Sequence, residues 1–135
     1  MDHGVPDEVR SEHRRLNALF VETREALRGE HEGAAVAAVS ELREALELHF
    51  QQEDSLYYPT ILALRPEHVA PLRACMEAHE WFRERLVRLV ESVRARPRSD
   101  ALGVLAEITE RFAQHEAIEE GVLAAIDRET AATRH

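Results

Sequence analysis

The sequence predicts an all-α protein, specifically an up-down-up-down antiparallel four-helix bundle. Three observations support this: four stretches repeat apolar residues at spacings of three and four, prolines fall near their ends, and no segment shows strand-like alternation. The first helix starts at Pro6, because proline suits a first turn and Asp7 and Glu8 complement the helix dipole, and Gly29 ends it. The second runs from about Ala34 to Tyr58, where Pro59 interrupts it, and the segment holding Pro59, Pro66 and Pro71 reads as a connection. A third helix follows to about Arg96 and is stopped by Pro97. Ser99 or Asp100 then caps a fourth that reaches about Arg128. At 135 residues the chain fits one domain, residues 1–135, long enough to bury a core.

Composition narrows the function classes. A net charge of -9 disfavours phosphate backbones and anionic membranes, so neither nucleic acid nor a membrane is an expected partner. No apolar run approaches the roughly 20 residues that span a bilayer. Cys75 is the only cysteine and has no internal disulfide partner, and the amino-terminal MDHGVPDEVR lacks a basic stretch followed by an apolar one. A cytoplasmic location is therefore the expectation.

The apolar stripes carry the functional signal. They read Val9, His13, Leu16, Phe20 and Leu27 in the first helix, and Val39, Leu42, Leu46, His49, Glu53 and Leu56 in the second. The third gives Leu72, Cys75, His79, Phe82, Leu86, Leu89 and Val93, and the fourth Leu105, Ile108, Phe112, His115, Glu119, Val122 and Ile126. Every stripe is interrupted by histidine, glutamate or both. In an antiparallel bundle His13 lies roughly two turns and His79 two to three turns after their helices begin, and His49 lies roughly two to three turns and His115 three to four turns before theirs end. One slab would then contain all four. Glu53 follows His49 by four residues and Glu119 follows His115 by four, which keeps each pair on one face.

A single histidine on an apolar stripe is usually a hydrogen-bonded core residue. Six polar groups in one slab are different, because a buried ionised carboxylate costs several kcal/mol unless a cation compensates it. A buried polar network with protonated histidines is the alternative, but those imidazolium ions would themselves be desolvated. A metal ion answers both costs. Mixed imidazole and carboxylate donors suit iron, zinc, copper or nickel, and a lone cysteine argues against thiolate-rich structural zinc. Six donors exceed one tetrahedral ion, whereas two ions about 3.5–4 Å apart would use them all. The ferritin-like pattern, a glutamate three residues before a histidine, is absent: those positions hold Arg10, Leu46, Met76 and Phe112.

The run His49-Phe50-Gln51-Gln52-Glu53-Asp54 leading into Leu56-Tyr57-Tyr58-Pro59, together with His115-Glu116-Ala117-Ile118-Glu119-Glu120, resembles the hemerythrins and hemerythrin-like (HHE cation-binding) domains over nearly the whole chain. The resemblance implies His13, His49, Glu53, His79, His115 and Glu119 as ligands of two iron ions, with the glutamates as bridges. Oxygen-carrying hemerythrins place their last carboxylate five residues after the histidine, which would be Glu120, but the stripe favours Glu119. The carriers also have two histidines four apart in the third helix, and here Cys75 stands where the first would fall. Cys75 can ligate, sit uncoordinated near the iron, or serve as a small core residue; the last two are favoured. Tyr57, four residues past Glu53, leans to the same face and can fill the freed position or donate a hydrogen bond, against the ordinary reading of packing. Tyr57 and Cys75 are thus the candidate catalytic residues. His3, His31, His68 and His135 lie off the stripes and read as solvated, and Arg83 and the other helix arginines read as exposed-face residues. The resemblance implies a di-iron centre, and the histidine missing at position 75 frees an iron position, so the expected function is reaction with peroxide, or with a related small oxidant such as dioxygen or nitric oxide, as an oxidoreductase of peroxidase or catalase type. A reversible dioxygen carrier or sensor and an iron-holding bundle are the alternatives.

Overall fold

The computed structural model of the protein describes residues 4–132, so His3 and His135 lie outside the described residues. Helix α1 spans Gly4–Arg28. The Gly29 N–H closes it by bonding the carbonyls of Glu25 and Ala26. Helix α2, Glu32–Gln52, starts on an unusual cap: the exposed His31 accepts a hydrogen bond from the Ala34 N–H through Nδ1 at 2.9 Å. His31 is therefore solvated but structurally engaged.

The second helix does not stop at Pro59. It passes through a π turn, Glu53–Tyr57, and continues as α3, Tyr58–Leu64. Proline has no N–H to offer the carbonyl four residues back and its ring crowds that carbonyl, so a regular α-turn cannot run through position 59. The wider turn absorbs the conflict: the Tyr58 N–H bonds Glu53 O, five residues back, and Pro59 sits in the first turn of α3, where no N–H is needed. The cost of this solution is a one-residue slip in facing. Leu56, expected on the core stripe, is 52% exposed, while both Tyr57 and Tyr58 are buried.

A 3-10 turn at Pro66–His68 leads into α4, Val69–Ser92, whose first turn contains Pro71, so that proline belongs to the helix and not to the connection. Helix α4 ends about a turn before Pro97, and α5 spans Ser99–Ala132. Between them Arg98 folds inward and donates from Nη1 to the Leu27 carbonyl at the end of α1, 3.1 Å away.

Among the described residues the protein is wholly helical. Helix α1 packs on α2 and α5, and α4 packs on the same two, so four long helical segments enclose one interior. That interior has two apolar parts. The larger is built around Leu16, Phe20, Leu42, Leu46, Leu86 and Ile108, and full burial of each such side chain contributes ~1.5–3 kcal/mol. The smaller contains Val9, Tyr58, Ile61, Leu72, Val122 and Leu123. Along each long helix the polar residues of the stripe fall between the two.

Candidate metal centre

Helix α1 carries His13, α2 carries His49, the π turn carries Glu53, α4 carries His79, and α5 carries His115 and Glu119. All six are buried, none more than 6% exposed. Glu53 and Glu119 each divide their two oxygens between two groups of imidazoles. On one side Glu119 Oε1 lies 2.8 Å from His13 Nε2, and Glu53 Oε2 lies 3.2 Å from His49 Nε2. On the other, Glu53 Oε1 is 2.9 Å from His79 Nε2 and 3.5 Å from His115 Nε2, and Glu119 Oε2 is also 3.5 Å from His115 Nε2. The donors of His13, His49, Glu53 and Glu119 lie within 4.8 Å of one another, as do those of Glu53, His79 and His115. Two adjoining donor sets that share the Glu53 carboxylate suit a pair of cations better than a single one.

The donor chemistry fits a cation on a second ground. Neither ring nitrogen of the fully buried His49 has a hydrogen-bond partner, and neither does Glu53 Oε2. His49 Nε2 and Glu53 Oε2 approach within 3.2 Å without the alignment of a hydrogen bond, so both aim past each other into shared space. Buried polar atoms left without partners are costly, and a cation between them would satisfy both.

The electrostatics of the cluster are those of groups that must share charge. Burial alone would raise the Glu53 carboxyl, yet its contacts with Glu119, His115, His49 and His79 hold it well below the ordinary carboxylate range. Burial pulls the His115 imidazole down, but Cys75, Glu119 and Glu53 outweigh it and push the pKa up to about 12. His49 is likewise raised against its burial, chiefly by Glu53.

The residues around the six divide by side. Tyr58 places its hydroxyl on Glu119 Oε2 as a short hydrogen bond and 3.5 Å from His115 Nε2. Burial and the Glu119 charge raise its pKa, so it remains a phenol. Cys75, 1% exposed, joins His115 and Glu119 in a third set of close donors. Tyr57 is also buried, but burial and the charges of Glu8 and Glu12 act on its hydroxyl, which faces α1. Tyr58 was not among the residues the sequence singled out. The signal for it is Pro59, which forces the π turn and so replaces the residue four beyond Glu53 with the residue five beyond. Glu120 stands at the rim, outside the donor sets: one oxygen pairs with Arg10 at 3.1 Å and the other lies 4.0 Å from His13 Nδ1, behind the ring. His68 lies apart, 3.8 Å from Glu129, and Glu129 is already engaged by Arg65. Arg83 is half-buried, bonded to Glu47 at 3.0 Å.

These features define a helical bundle that holds a cation site of buried histidines and glutamates between its helices. The chain belongs to the hemerythrin HHE cation binding domain family, whose model matches residues 5–126. No curated protein and no solved structure matches it significantly.

Proposed function

We propose that this is a single-domain, up-down-up-down antiparallel bundle that holds two iron ions, bridged by Glu53 and Glu119, and that it reacts with peroxide in preference to carrying dioxygen. The ring of helix packing and the short links between consecutive long helices support the antiparallel arrangement. The observation that carries the reaction is the asymmetry of the site. One side has only His13 and His49 beside the carboxylates, whereas the other adds the Tyr58 hydroxyl and the Cys75 thiol next to His115 and Glu119.

When bound, the iron pair would supply the two electrons that cleavage of a peroxide bond takes up, and a second peroxide, oxidised to dioxygen, or a reducing co-substrate would return them. The chain's own residues perform the rest. Tyr58 holds a proton at its phenolic oxygen, donated to Glu119 Oε2, within reach of a molecule beside His115. Val9, Ile61, Leu72, Val122 and Leu123 surround a cavity of about 10 Å³ that touches Tyr57, Tyr58 and Glu119. That volume is at the lower limit for one water molecule, and the largely apolar wall disfavours an anion there. His49 and His13 supply the two imidazoles of the opposite side.

No described helix is long and apolar enough to cross a membrane. The proposed setting is the cytoplasm, with peroxide, dioxygen or nitric oxide as the small-molecule partner. The test is peroxide consumption and oxygen uptake by iron-loaded protein, with iron quantified and optical spectra recorded on adding each oxidant. Peroxide turnover well above that of free iron supports the reading. Stable, reversible dioxygen binding without turnover overturns it in favour of a carrier or sensor, and inertness to every oxidant favours an iron-holding bundle.

A further inference from the structure

Three of the site histidines have a carboxylate behind the ring, but at unequal distances. Glu12 stands 3.6 Å from His49 Nδ1 and Glu116 stands 3.7 Å from His13 Nδ1, both too long for a hydrogen bond. Asp54 Oδ1, in contrast, lies 3.0 Å from His79 Nδ1. Glu53 and Asp54 are consecutive residues of the π turn, and they take opposite nitrogens of the same imidazole, Nε2 at 2.9 Å and Nδ1 at 3.0 Å. Asp54 is itself placed from outside: Arg83 Nη2 lies 3.8 Å from Asp54 Oδ2, while Arg83 Nε is bonded to both oxygens of Glu47. The ring of His79 is further held by stacking on Phe50, with centroids 4.4 Å apart.

We infer that Asp54, steadied by Arg83, is a positioning residue that fixes His79 as the Nδ1–H tautomer and so presents its Nε2 lone pair to a cation at the Glu53, His79 and His115 set. Both nitrogens of His79 face a carboxylate, and a carboxylate only accepts hydrogen bonds; a cation between Glu53 and Nε2 would take up that nitrogen's lone pair, and the contact with Asp54 then keeps the hydrogen on Nδ1. The outer hydrogen bond also makes the inner nitrogen a stronger donor to metal, and loss of such a partner typically weakens metal binding by about 10–100-fold. His13 and His49 have no equivalent clamp, so the two halves of the centre are held unequally. The inference rests on the cation reading above and adds to it which side is preorganised, and by what.

The test is anaerobic titration of the full chain with ferrous iron against a competing chelator, for the wild type, Asp54→Ala, Asp54→Asn, Arg83→Met and Glu116→Gln. Asp54→Ala is expected to weaken one of two iron equivalents by about 10–100-fold and leave the other unchanged. Asp54→Asn, whose amide oxygen still accepts, should lose less, Arg83→Met should move the same equivalent in the same direction, and Glu116→Gln should leave that equivalent alone. Melting of the iron-stripped variants separates positioning from folding, since Asp54 is one-third exposed and its replacement should move that melting little. Nitrogen NMR of the zinc-loaded wild type should show His79 protonated at Nδ1. Wild-type affinity for both equivalents in Asp54→Ala, or an equal loss in Glu116→Gln, overturns the inference and leaves the cation site standing. A wild type that binds no ferrous iron overturns both.

Discussion

The π turn makes a sharp prediction about two adjacent tyrosines. Tyr58→Phe deletes one oxygen from a site where donor and acceptor are both buried, Tyr58 2% and Glu119 3% exposed. A hydrogen bond to a charged group contributes ~1.5–3 kcal/mol, and its deletion leaves a Glu119 oxygen without that donor. With an unfolding entropy of ~2.1 cal/mol/K per residue, a chain of 135 residues should lose roughly 5–11 °C in melting temperature, measured on iron-stripped protein. Tyr57→Phe removes a hydroxyl facing Glu8 and Glu12 at the side of α1, and should cost no more than ~0.5–1.5 kcal/mol, the value of an ordinary hydrogen bond. Activity should separate the pair further. If the Tyr58 hydroxyl delivers the proton during peroxide cleavage, iron-loaded Tyr58→Phe should consume peroxide at least ~100-fold more slowly, the lower range for general acid catalysis, while Tyr57→Phe keeps its rate. Thermal melting and a peroxide electrode decide the matter. Equal effects of the two substitutions, or no loss in Tyr58→Phe by either measurement, would refute the facing deduced from the π turn.

Other outcomes follow from the same geometry. Elemental analysis of iron-loaded protein should find about two irons per chain, and stoichiometric zinc or a single equivalent would count against the paired donor sets. His49→Ala or His115→Ala should release metal and destabilise the fold by about 1–3 kcal/mol, because the buried Glu53 would lose one of its imidazole partners while keeping His79; chemical denaturation alongside metal analysis checks both. His31→Ala should keep its metal yet lose about 1 kcal/mol through the α2 cap, whereas His68→Ala should change neither. Cys75→Ala should keep its iron, and Cys75→His should strengthen reversible dioxygen binding, both read from optical spectra; metal loss in the alanine variant would show that the thiolate ligates.

Much of the fold was legible because burial acts through periodicity. Along α4, every stripe residue from Leu72 to Val93 is buried, since a regular helix repeats its facing without fail and a spacing of three and four can be read directly. Glu119 and Glu120 separate for the same reason: one residue on a helix turns a side chain by about 100°, enough to put Glu119 inside and Glu120 on Arg10 at the surface. The polar interruptions of four stripes therefore located the slab from sequence, because buried carboxylates and imidazoles are too costly to accumulate without a compensating charge.

Where the helix stops being regular, that reading fails. Pro59 looks like a terminus in one dimension because its missing N–H and its ring forbid an α-turn, but packing on both sides of it favours continuing the helix through a wider one. That choice exposed Leu56, put Tyr58 rather than Tyr57 on Glu119, and set Asp54 against His79. The sequence by itself determined the helical class, the slab and the residue types that fill it, since those follow from local spacing and the cost of burying charge. Only the tertiary structure decided which oxygen of each glutamate faces which imidazole and which neighbours stand behind them, because those depend on distances between helices far apart in the chain, and no local periodicity encodes them.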